Sequence, residues 1–113
     1  MHAEERAAQV WAALALAAHN RQVLTYDIVA KLTGVPRQGL AKILGHIHEY
    51  CRQNRKPPLT ILVVNSETGV PGDGFTAARD IPEAQMRVFS HDWLTPGPPT
   101  PDQLAEAWSR ASS

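Results

Sequence analysis

His46, His48 and Cys51, three residues of types that bind metals or carry out nucleophilic chemistry, crowd into the segment GHIHEYC. On a helix His46 and His48 point roughly 200° apart, so they cannot grip one ion together. His48 and Cys51 share a face, but two ligands do not complete a zinc site, and neither CxxC nor HExxH occurs. An enzyme using His46 or His48 would need a second group to exchange a proton with, and none sits at a suitable spacing. Ser66 lacks the glycine-flanked elbow of a serine nucleophile. The loop GVPGDG, Gly69 to Gly74, offers the glycines of a phosphate cradle but not its Gly-Lys-Ser/Thr ending, and no helix follows directly, so a turn explains it. No catalytic residue, metal or cofactor is expected.

The elements that position these residues are mostly helical. Ala7, Val10, Trp11, Leu14 and Ala18 recur at spacings of three and four, which with the alanine content predicts a helix over Ala3–His19, stopped at Asn20. Thr25 is a candidate N-cap for a short helix, YDIVAKLTG, with Ile28, Val29 and Leu32 as its apolar face and Gly34 where a left-handed terminal residue belongs. Pro36 suits the start of a third helix reaching Asn54. Leu40, Ile43, Leu44, Ile47 and Cys51 form its buried stripe, where a free cysteine is an inert small hydrophobe. Gln38, Lys42, His46 and Glu49 fall on the other side. A short helix, a glycine-containing turn and a longer helix with a basic, polar face make the helix-turn-helix layout.

KPP, Lys56 to Pro58, ends that helix, and LTILVV, Leu59 to Val64, reads as the one clear strand. A loop or hairpin turn follows, and Phe75 is placed to begin a second strand, which would make a wing. After residue 80 helical spacing resumes at Ile81, Ala84 or Gln85, and Val88. A proline-rich break leads to a last helix with Leu104 and Trp108 as an i,i+4 pair. Trp11, Trp93 and Trp108 are expected to fill the core or cover the sheet. Tyr26 has two readings, a side chain projecting from the helix start or a half-buried core tyrosine.

At 113 residues, with 43% apolar and 19% charged residues, the chain has the length and composition of one packed domain. The single cysteine excludes an internal disulfide. No run approaches the roughly 20 apolar residues of a membrane span, and MHAEERAAQVWAALALAAHN is not patterned as a secretory leader. A cytoplasmic protein with no membrane partner is expected. The net charge is zero but unevenly spread: residues 31–56 hold Lys31, Arg37, Lys42, Arg52, Arg55 and Lys56 against Glu49 alone, while the segments on either side are acidic. This is either a footprint for a polyanion or a solvated helix face.

Several of these pieces together resemble the C-terminal domain of O6-alkylguanine-DNA alkyltransferases and the related alkyltransferase-like proteins. The likeness spans roughly Val10 to Phe75, carried by TYDIVAKL, by GVPRQGLAKILG in place of a recognition helix of the type A-R-x-V-G, by PPLTILVVNSETG in place of P-x-P-I-L-x-P-C-H-R, and by the pair Gly74-Phe75. The resemblance implies a winged helix-turn-helix that sets its recognition helix in the minor groove, where a tyrosine and an arginine help a modified guanine leave the stack. Tyr26 falls on the family tyrosine and Lys42 on the arginine. Arg37, Gln38 and Gly39 lie at the start of the recognition helix. Val64-Asn65 stands where the family has Pro-Cys, and no His-Arg follows. Without the cysteine there is no alkyl transfer by the family route, and a lysine lacks the planar guanidinium that stacks in a duplex.

The expectation is therefore a single domain of α/β class, mostly α: a winged helix-turn-helix core over 1–75, with a short two-stranded element, and extra C-terminal helices in an extension over 76–113. Its expected function is non-enzymatic binding of duplex DNA, including modified or distorted duplex. Tyr26, Arg37, Gln38, Lys42 and Arg52 are the candidate contacts, and Val64, Asn65, Ser66 and Gly74 line the pocket or loop beside them. Asn65 is expected to stabilise its own turn. The alternative is a protein-interaction module that docks a partner, or a second copy of itself, through the acidic extension with Trp93 and Trp108.

Overall fold

The computed structural model describes residues 2–69, 80–95 and 97–111. Within them the elements run α1 (Ala3–His19), β1 (Leu24–Thr25), α2 (Tyr26–Thr33), a 3-10 turn at Arg37–Gly39, α3 (Leu40–Gln53), a second 3-10 turn at Leu59–Leu62, β2 (Val63–Val64), α4 (Ile81–Ser90) and α5 (Pro101–Ala111). The architecture is mostly helical with one small sheet. No helix among the described residues is long and apolar enough to cross a membrane.

Helix α1 is the centre of the molecule, packed by α2, α3, α4, α5 and the second 3-10 turn. Its buried side is wide, with Ala7, Val10, Trp11, Leu14, Ala15, Ala17 and Ala18 all removed from solvent. Alanine both favours the helix and lets neighbours approach closely. The stripe Leu40, Ile43, Leu44, Ile47 and Cys51 is buried as the spacing predicts. Helix α5 lies against α3 and α1, with Leu104 fully buried and the Gln53 side-chain amide donating to the Ala107 carbonyl at 2.8 Å.

Local chemistry fixes the helix ends. The Thr25 hydroxyl accepts from the Ile28 N–H at 3.2 Å, and Gly34 closes α2 at φ 75°, with its N–H bonded to the Ala30 carbonyl. Arg6 reaches from α1 and donates to the Thr33 carbonyl at 2.8 Å, placing a cation at the negative end of α2. Helices α1 and α3 end alike. The Arg21 and Gln22 N–H groups bond back to Ala18 and Ala17, and those of Arg55 and Lys56 to Arg52 and Cys51. Both are Schellman closures with an arginine, Arg21 at φ 56° and Arg55 at φ 55°, in the left-handed position that glycine usually fills.

The structure departs from the sequence expectations at several points. LTILVV is not a six-residue strand: Leu59–Leu62 wind into a 3-10 turn, with the Ile61 N–H bonded to the Pro58 carbonyl at 3.0 Å, and only Val63–Val64 extend. All six residues are buried, and a short apolar run buried on every side carries no period to separate strand from turn. The partner of β2 is β1, parallel, in the register Leu24↔Val63 and Thr25↔Val64; Phe75, the expected start of a hairpin wing, lies outside the described residues. The third helix begins at Leu40 after a 3-10 turn, not at Pro36. In α2 only Val29 is buried, while Ile28 and Leu32 are 44% and 65% exposed, because this short helix packs on one narrow side.

Candidate nucleic-acid interface

Parallel pairing decides where the candidate residues meet. Because Thr25 and Val64 are register partners, Tyr26 and Asn65 leave the sheet at the same end. The two halves of the candidate site, 39 residues apart in sequence, are thereby neighbours. Tyr26 is half-buried and packs against the core. The Arg37 guanidinium lies 5.9 Å from the centre of its ring, within cation–π range. Arg37 also donates to Asp27 at 3.1 Å, and both side chains are largely exposed. Nothing local in the sequence links Asp27 to Arg37; an exposed pair of this kind stabilises by only about 0–1 kcal/mol but offsets a cation at the surface.

Gln38 and Lys42 are exposed at the start of α3, where the positive end of the helix dipole adds to Lys42 and Arg37. Val64 is 3% exposed and belongs to the buried core. Asn65 turns its side chain into the loop: its Oδ1 accepts from the Glu67 N–H, and its carbonyl from the Gly69 N–H, both at 2.8 Å. Ser66 is exposed, and Gly74 lies outside the described residues.

Arg52 does not join this group. It sits near the opposite end of α3, about 15 Å from Lys42 along the helix at 1.5 Å per residue. There it holds Glu49 through Nε at 2.9 Å and Nη2 at 2.7 Å, and this contact keeps the Glu49 carboxyl below its usual pKa. Instead Arg52 shares a cleft with Arg55, Lys56 and Arg87. Arg87 comes from α4, and no pattern in the sequence associates it with α3.

His46, expected on the polar side of α3, is 2% exposed. Its side is covered by α5, whose Trp108 stacks on the imidazole. His46 Nδ1 lies 2.8 Å from the Lys42 carbonyl; a carbonyl only accepts, so the proton must be on Nδ1. His48 faces the basic cleft. No group of three metal-ligating side chains comes together among the described residues. Cys51 is 1% exposed, and burial pushes its thiol up to about 11, a poor nucleophile at neutral pH.

The tryptophans of the extension face inward. Trp93 is 4% exposed, donates its indole N–H to the Val88 carbonyl at 2.8 Å and meets Trp11 edge-on at 5.6 Å. Trp108 is half-buried on His46. A docking surface built on these two rings would have to withdraw them from their internal contacts. Comparison of the chain with protein-family models, curated proteins and solved structures found no match.

Proposed function

We propose that this protein is a non-enzymatic, duplex-DNA-binding module of the alkyltransferase-like kind, with α2, the Arg37–Gly39 turn and α3 acting as a helix-turn-helix in a winged-helix frame. The observation that carries the reading is the Thr25↔Val64 register. It supports the reading because Tyr26 and the strand end at Asn65 are the two places where the family resemblance puts groups that act on one nucleotide. Arg37, Gln38 and Lys42 surround the same end of α3 and would meet phosphates. Such contacts supply affinity and make it salt-dependent. With Val64 buried and Asn65 committed to its turn, that end of the sheet offers a surface to bind against and no acceptor for an alkyl group.

The test is fluorescence anisotropy on matched duplexes with and without O6-methylguanine, at two salt concentrations. Binding should weaken with salt, and Tyr26→Ala should reduce any preference for the modified duplex. Absent or salt-insensitive binding would overturn the proposal.

A further inference from the structure

The C-terminal end of α3 forms a cleft of about 500 Å³, within the roughly 300–1,000 Å³ typical of small-ligand sites. Four cations line it: Arg52, Arg55 and Lys56 from α3 and its closing turn, and Arg87 from α4. Among the described residues no carboxylate does. Arg55, Lys56 and Arg87 have no ion-pair partner among the described residues. Arg52 uses only one edge of its guanidinium on Glu49, and a guanidinium has five N–H donors. Pro57 and Pro58 stiffen the rim.

We propose that this cleft binds a compact polyphosphate, free or carried by a nucleoside, as a site separate from the Tyr26 surface. Cations at a helix C-terminus have a bland explanation, since they complement the dipole there; it covers Arg52 in the last turn of α3 and Arg87 in the last turn of α4 one by one, but not the meeting of the two helix ends at one cleft. Two elements bring like charges to one depression whose described lining holds no acid, Glu49 reaching Arg52 from outside it, and an oligoanion would stabilise that arrangement. The depression also argues against the backbone of a long duplex, which would track a stripe along one face. The α3 helix, 14 residues long, puts about 20 Å between this end and Lys42's end.

The backbone supplies the test. Arg55 holds the left-handed position at φ 55°, so Arg55→Gly removes a cleft cation while relieving backbone strain. Arg21→Gly is the matched control, with the same closure and the same charge loss, at α1 and outside the cleft. Calorimetric titration with inorganic triphosphate and with ATP, at constant ionic strength, should show saturable binding to the wild type. Arg55→Gly and Arg87→Ala should each weaken it about tenfold, the size of one charge-assisted contact. Arg21→Gly should leave it unchanged, and neither glycine variant should lower the thermal midpoint. Equal affinity for the two ligands identifies phosphate alone as the recognised group; tighter ATP binding adds the nucleoside. No saturable binding, or equal losses at Arg21 and Arg55, would overturn the proposal. So would a duplex that competes for the cleft where triphosphate does not bind. Tyr26→Ala should leave triphosphate binding intact, which separates this site's failure from failure of the duplex-binding reading.

Discussion

The imidazole of His46 lies flat on the indole of Trp108, with 4.5 Å between ring centres and 8° between planes. The stack joins α3 to α5, and the residue beside it is Gly45. A Cβ at Gly45 would come within 2.6 Å of Trp108 Cζ3, closer than side-chain atoms pack. The glycine is thus required by the indole that covers it, not by its own backbone.

Gly45→Ala therefore sets two effects against each other. Alanine gains up to about 1 kcal/mol in helix propensity, but displacing the indole should cost about 1–3 kcal/mol. We expect net destabilisation, by up to about 2 kcal/mol, in urea unfolding. In a Trp108→Ala background the sign should reverse, since the obstruction is gone. A Gly45→Ala variant that is stabilised with Trp108 present would refute the close contact.

Leu104 tests how firmly the extension belongs to the fold. It is fully buried on α5, so Leu104→Ala should cost about 2–5 kcal/mol. A loss below about 1 kcal/mol would mean that α5 is only loosely attached.

His91 gives the protein a pH dependence of known sign. Burial, followed by the nearby Lys56 charge, holds its pKa below the ordinary 6.5, against a smaller opposing pull from Asp92. Below pH 6.5 the unfolded chain takes up a proton that the folded chain still refuses, so stability falls as the pH drops from 6.5 toward the folded pKa, and rises with pH across that window. His91→Gln should flatten the unfolding midpoint between about pH 7 and about pH 5. An unchanged slope would exclude His91 as its source.

Cys51 should be silent in the native state. With the thiol raised to about 11, on the order of one molecule in ten thousand carries a thiolate at neutral pH. A chromogenic disulfide reagent should react slowly with folded protein and promptly in urea. Rapid native reaction would contradict the burial.

Asp27 offers a sharper probe of the candidate interface than any deletion of a cation. Because it offsets Arg37, Asp27→Asn should tighten duplex binding several-fold at low salt and steepen the salt dependence by up to about one unit. Arg37→Ala should do the reverse. If Asp27→Asn weakens binding, then Arg37 is held in place by the pair rather than masked by it.

Sequence and tertiary structure each decided a definable part. The bounds of α1, the Thr25 cap, the left-handed Gly34 and the buried stripe from Leu40 to Cys51 were all legible, because caps and periodicity act between residues three or four apart. Tyr26 stands out in the same way, from its place at a helix start, whereas Lys42 does so only through the family resemblance. What the chain alone could not disclose depends on what covers each surface. His46 looked solvent-facing until α5 lay over it. Leu59–Leu62 are nearly all apolar and buried on all sides, and so carry no period to distinguish strand from turn. The pairing of Thr25 with Val64, and the meeting of Arg87 with Arg55, join segments with no local relation. Such contacts form only when distant elements share one core, and they are what place Tyr26 beside Asn65 and draw the cations of α3 into two groups rather than one.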